Sequence, residues 1–179
     1  MEESDKASEE LAKDRGPFEG WEGSRPQLED KVPLRNACRL TVAPTGTISM
    51  IAGCSSGIEP IFSLAFRKQN ILEGKTLYYV DKNFETIAKE RNFYSEELLE
   101  YLSEGGSLQN RDDVPNDVKE IFKTAPDISP ENHVRMQAAF QDSVDAGISK
   151  TINFPNSATE NDVSNAYMLA WELSCKGIT

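Results

Sequence analysis

Thr45, Gly46, Thr47 and Ser49 follow directly on Pro44, and hydroxyl side chains set around a glycine are the groups that cradle an anion. Upstream, Leu40 and Val42 alternate with Arg39 and Thr41, the two-residue period of a strand over 39–43. Pro44 ends that strand because it has no N–H to give a ladder. Residues 48–52 then make a short apolar run, enough for a brief helix that Gly53 stops. A strand, a small-residue turn and a helix N-terminus leave backbone N–H groups and hydroxyls unpaired and turned outward. A phosphate fits that geometry. Taken alone, Pro-Thr-Gly-Thr also reads as an ordinary turn followed by an ordinary N-cap.

The elements that must hold this turn are read from period and punctuation. Residues 1–15 form a charge-rich, solvated helix that stops at Gly16-Pro17. Residues 18–34 read as a loop, with Trp21 packing it onto a core. Beyond the turn, apolar runs at 61–66 and 76–80 suggest a hairpin over 62–80 that reverses near Glu73-Gly74. Arg67, Lys68 and Lys75 lend positive potential there or simply face water. Residues 81–91 carry Phe84, Ile87 and Ala88 on one helical face, and Ser95 caps a second helix closed by Gly105-Gly106. Pro115 starts a third, with Val118, Ile121 and Phe122 inward. Residues 81–128 therefore read as a helical insert without obvious chemistry.

From Ser129-Pro130-Glu131 a helix runs to Gly147, with Val134, Ala138, Phe140 and Val144 as its buried stripe. His133, the one imidazole, sits in its first turn and is assigned a structural or surface role. Residues 148–154 are a strand ended by Pro155. Thr159 and Asp162 cap a helix lined by Val163, Ala166, Tyr167, Ala170 and Leu173, and Lys176-Gly177 closes it before a strand at 177–179. Strand, helix, strand is the β-α-β unit, which demands a parallel neighbour. Its last strand has about two residues against the usual five or six. The chain is thus expected to be truncated, a piece of a longer polypeptide, with its C-terminus weakly paired.

At 179 residues, 27% charged and 38% hydrophobic, the composition is that of a soluble globular chain. No apolar run nears the roughly 20 residues that span a bilayer, and the acidic N-terminus is no secretory signal, so the cytoplasm is the expected site. A net charge of −11 argues against a nucleic-acid surface, though not against one bound phosphate. Cys38, Cys54 and Cys175 are odd in number and lack C-x-x-C spacing, so zinc and disulfides give way to reduced, mostly buried thiols.

The string APTGTISMIAGCSSGIEP at 43–60 closely resembles the substrate-phosphate loop of ribonucleotide reductase large chains, in particular the adenosylcobalamin-dependent (class II) branch. NILEGKTLYYVD at 70–81, HVRMQAAFQ at 133–141, SKTINFPNSAT at 149–159 and AWELSCKGIT at 170–179 resemble the same family in the same order. RGPFEGWEGS at 15–24 is a less specific match. The resemblance implies an α/β fold, part of a ten-stranded α/β barrel, with 1–38 as an N-terminal helix and loop and 39–179 as the C-terminal portion of the barrel. It also implies that Pro44, Thr45, Gly46, Thr47, Ile48 and Ser49 clamp the substrate diphosphate. Thr45 and Thr47 would donate through hydroxyls, and Gly46 and Ile48 through backbone N–H groups.

In that family a cofactor-generated thiyl radical abstracts the 3′ hydrogen of a ribonucleotide, a cysteine pair supplies electrons and a carboxylate handles protons. The resemblance therefore implies adenosylcobalamin, a ribonucleoside diphosphate or triphosphate, the remainder of the reductase chain, a homodimer and a thioredoxin-type reductant. The radical cysteine of the family lies in Asn-x-Cys-x-Glu, which this sequence lacks, and none of its cysteines matches the redox pair. No catalytic residue and no metal ligand is expected here, and the chain alone should be inactive. A nucleotide-binding module without reductase chemistry and a non-functional remnant are the alternatives.

Overall fold

A computed structural model describes residues 1–71 and 75–179, with the side chains of 68–77 outside the description. The reversal expected near Glu73-Gly74 falls outside the described residues. Its flanks are strands β1 (Ala65–Ile71) and β2 (Lys75–Val80), paired antiparallel with Phe66 opposite Tyr79. Those two rings stack at 5.1 Å and 5°. Residues 61–64, expected within the first strand, stay irregular because their polar groups bond elsewhere. The Ile61 carbonyl accepts from Ala125 N–H and the Leu64 carbonyl from Asp81 N–H.

A run of capped helices follows. Asp81 accepts from the N–H groups of Asn83 and Phe84 to open α4 (Lys82–Glu90), and Ser95 accepts from Leu98 to open α5 (Glu96–Ser103). Pro115 precedes α6 (Asn116–Ile121). These elements close over the hairpin around Leu64, Phe84, Leu98, Leu102, Val118 and Phe122. Ile121, expected inward, is exposed, because the short helix ends there and Phe122 takes the inner position.

The second cluster is built on α7 (Pro130–Gln141) and α8 (Glu160–Glu172), where Val134 and Ile152 meet Ala166 and Ala170. Helix α7 stops at Gln141, not Gly147. Its buried stripe is His133, Val134, Gln137 and Gln141, one turn apart and mostly polar, while Phe140 is exposed. Gln137 Nε2 donates to the Gly177 carbonyl, and the Gln141 side-chain oxygen Oε1 accepts from Lys176 N–H. Polar groups occupy this face because they tie down the extended backbone after α8. On α8, Val163 and Tyr167 face outward, and Ala166 and Ala170 are its buried residues, with Leu169 packed beside them.

The segments at 39–43, 148–154 and 177–179, expected as strands, are extended neighbours without forming regular strands. Val42 and Ile148 meet as a single parallel bridge, Ser149 N–H donates to Val42 and Ile152 N–H donates to Thr179. Side chains explain the gaps. The Asp145 carboxylate takes the N–H groups of Arg39 and Leu40, and Glu59 takes that of Thr151, so ladder donors are already used. At the N-terminus, α1 (Glu2–Arg15) ends at Gly16, and the expected loop contains one helical turn, α2 (Arg25–Leu28), opened by Ser24. Trp21 is buried there, edge-on to Phe18.

Candidate functional site

The turn after Pro44 leads into helix α3 (Gly46–Ala52). An N-cap residue ordinarily has extended backbone and turns its side chain to bond the amides of the first turn. Thr45 does neither. Its φ of 49° lies in the left-handed region, costly for a β-branched residue, and its hydroxyl oxygen accepts from Gly57 N–H at 2.9 Å. The N–H groups of Gly46, Thr47 and Ile48 therefore have no partner among the described residues, and the first intrahelical bond runs from Ser49 N–H to the Thr45 carbonyl.

Pro44, Gly46, Thr47 and Ile48 are exposed and Thr45 is half-buried. Ser49 is buried, its hydroxyl donating to the Gly46 carbonyl at 2.8 Å. Five of the six expected residues thus ring an open turn, and the sixth braces it from within. Because Val42 and Ile148 run parallel, the turn shares one end of the extended segments with Thr151 and Asn153. Ligands of parallel α/β arrangements collect at that carboxyl end. A cleft of about 580 Å³ opens there, lined by Ser49, Cys54, Ser56, Glu59, Thr151 and Asn153.

Gly57 buttresses the turn. Its φ of 52° suits glycine, and a Cβ on it would stand 3.0 Å from the Ala43 carbonyl oxygen. Two residues on, Glu59 enters a buried network that the sequence did not disclose. Lys150, whose side chain is 1% exposed, reaches Glu59 Oε2 at 2.7 Å, His133 Nδ1 at 2.7 Å and the Thr151 carbonyl at 2.6 Å. Glu59 Oε1 accepts from Thr151 N–H at 2.5 Å. His133 Nε2 lies 3.1 Å from the Ala125 carbonyl, so it carries the proton and leaves Nδ1 to accept from the ammonium. The structural role expected for His133 is met. The pairing with Lys150 and Glu59 had no local signal, since the three lie far apart in sequence.

Burial lowers the His133 pKa from its ordinary 6.5; the Ala125 bond opposes this, the Lys150 charge adds to it and Glu59 opposes it. Folded His133 takes its proton at lower pH than the unfolded residue, which does so near pH 6.5. Its contribution is therefore present above that pH and lost below it, by up to about 1.4 kcal/mol per pH unit. Urea denaturation from pH 7.5 to 5 should show this loss, and His133→Gln should flatten it. Equal slopes in both proteins would contradict a neutral buried imidazole.

Other expected residues lie elsewhere. Arg67 pairs with Glu104 at 3.0 Å and Glu100 at 3.6 Å, away from the turn, and the Lys68 and Lys75 side chains are outside the description. The thiols depart from the expected burial: Cys38 and Cys54 are exposed and Cys175 is half-buried. Cys38 sits on a surface segment and Cys54 just past the glycine that ends α3, and neither position packs against a cluster. No group of three or more His, Cys, Asp or Glu converges as a metal site, and no helix is long and apolar enough to cross a membrane, among the described residues.

Residues 25–179 match the family model described as ribonucleotide reductase, barrel domain. The sequence is 49% identical over 178 residues to the vitamin B12-dependent ribonucleoside-diphosphate reductase of Thermoplasma acidophilum, covering 99% of the chain and 23% of that protein. It is 43% identical over 173 residues to the protein of the same name from Mycobacterium tuberculosis, covering 97% of the chain and 24% of the relative. The structure resembles the class Id ribonucleotide reductase alpha subunit of Actinobacillus ureae with a TM-score of 0.74 and 30% identity, over 99% of this chain and 31% of that one. The chain spans about a quarter of the length of the two curated relatives.

Proposed function

The chain belongs to the ribonucleotide reductase barrel-domain family, and from that premise we propose that its turn at 44–49 grips the diphosphate of a ribonucleotide during reduction to the deoxyribonucleotide. One observation carries the reading: Gly46, Thr47 and Ile48 hold three unpaired amides at an exposed turn beside a cleft. A diphosphate placed there receives three N–H bonds and the Thr47 hydroxyl, and Thr45 keeps a proton to donate while its oxygen accepts from Gly57. Gly46 lets the anion approach the backbone closely.

The rest of the reaction belongs to other parts of a reductase. Radical generation is the chemistry that adenosylcobalamin supplies when bound. Residues of this chain do not fit as its cobalt ligands, because the one imidazole is 1% exposed and has both nitrogens engaged. The segment's own task is to fix the nucleotide so that a thiol from elsewhere meets the ribose. The extended segments at 39–43, 148–154 and 177–179 join strands from the remainder of the chain to close the ten-stranded barrel. A thioredoxin-type reductant, a homodimer and a cytoplasmic setting complete this reading.

Thr45→Ala/Thr47→Ala in a full-length reductase carrying this chain should weaken nucleotide binding by roughly 1–3 kcal/mol, the usual cost of unmaking hydrogen bonds to a charged group. Calorimetry with a nucleoside diphosphate measures it. An unchanged dissociation constant would remove the clamp.

A further inference from the structure

The buried Lys150 ammonium bonds no residue of the turn, yet one short path of contacts joins them. Lys150 and Thr151 hold both oxygens of Glu59; Glu59 lies two residues from Gly57; Gly57 N–H is held by the Thr45 hydroxyl, and a Cβ there would stand 3.0 Å from the Ala43 carbonyl oxygen. Thr45 is the left-handed residue that sets the direction in which the three free amides of the first turn leave the end of the extended segment, and its hydroxyl does not cap them. A β-branched residue keeps that conformation only where its surroundings impose it. The Gly57 contact is the one side-chain bond that Thr45 makes among the described residues. His133, anchored on Ala125, fixes the ammonium from the far side.

We propose that Lys150, acting through Glu59, is a positioning residue for the anion-binding turn: the pair pins residues 57–59 so that Gly57 holds Thr45 in its left-handed state. This rests on the phosphate reading given above. The alternative is that the pair merely joins α7, the 148–154 segment and the turn as a structural weld. Removing one partner of a buried pair destabilises in either case, because a charge is left behind. Removing both does not leave that charge.

The test uses a full-length reductase carrying this chain, with inorganic pyrophosphate as the probe. Lys150→Met should weaken pyrophosphate binding about tenfold to hundredfold, the loss that follows when groups orienting a binding site are removed. It should also speed hydrogen exchange at the Gly57 amide. Glu59→Leu/Lys150→Met should recover the melting temperature relative to Lys150→Met without recovering affinity or Gly57 protection. Glu59→Gln retains shape and the Thr151 bond, and serves if Lys150→Met fails to fold; its expected effect is a smaller loss in the same direction. Affinity that returns with melting temperature in the double variant, or is unchanged in Lys150→Met or Glu59→Gln while wild type binds, overturns the positioning role alone. A wild-type protein that does not bind pyrophosphate overturns the phosphate reading and this role with it.

Discussion

Asp145→Ala is expected to lower the unfolding free energy by about 3 kcal/mol, because one carboxylate serves two backbone amides and a guanidinium, with the Cys38 thiol as a weaker fourth donor. Oδ2 accepts from Arg39 N–H at 2.9 Å and Oδ1 from Leu40 N–H at 2.7 Å, while the Arg39 guanidinium approaches at 3.0 Å. The carboxylate is 14% exposed and the guanidinium 11%, so water replaces little of what is lost. Asp5, 2.9 Å from the same guanidinium, keeps the loss at the lower end for a broken buried pair. Burial pushes the Asp145 pKa up, but the amides of Leu40 and Arg39 and the Arg39 charge outweigh it and hold the group below its ordinary 3.8. The stabilisation is therefore present above the unfolded value and is lost as pH falls through the lowered folded one. Urea unfolding at pH 7 measures the effect; a loss below about 1 kcal/mol would show that Asp5 and water replace the carboxylate.

Phe84→Ala should cost about 3–5 kcal/mol, the range for deleting a fully buried aromatic ring. Phe84 is 0% exposed, edge-on to Phe122 with centroids 5.5 Å apart and tilted against Phe93 at 6.2 Å. Leucine there should lose less, since most of the apolar volume is kept. Equal losses for alanine and leucine would mean that ring geometry, not volume, sets the stability of this cluster. Guanidinium melts of the two variants decide between these.

What the sequence disclosed was what local rules govern. Ser95, Ser129 and Thr159 each precede their helix and each caps it, because an N-cap depends on residues only two or three apart. The open turn at 44–49 was legible for the same reason. The missed features depend on residues distant in sequence. Periodicity assigned apolar residues to the inner face of α7, but that face bonds Lys176 and Gly177, so glutamines stand there. The parallel segments lost ladder donors to Asp145 and Glu59, which approach from elsewhere in the chain. The left-handed backbone of Thr45 rests on Gly57, twelve residues on. Such contacts join residues that capping and periodicity rules do not relate to one another.

The two clusters therefore differ in how they tolerate change. An interior filled by leucines and phenylalanines accepts exchanges of similar volume, and sequences can drift there while the shape survives. The stripe of His133, Gln137 and Gln141 is directional: its side-chain donors reach the Ala125, Val144, Ala146 and Gly177 carbonyls, so a substitute of equal size with different donors fails. Sequence drift should therefore concentrate in the insert at 81–128, leaving the wiring behind the turn nearly invariant.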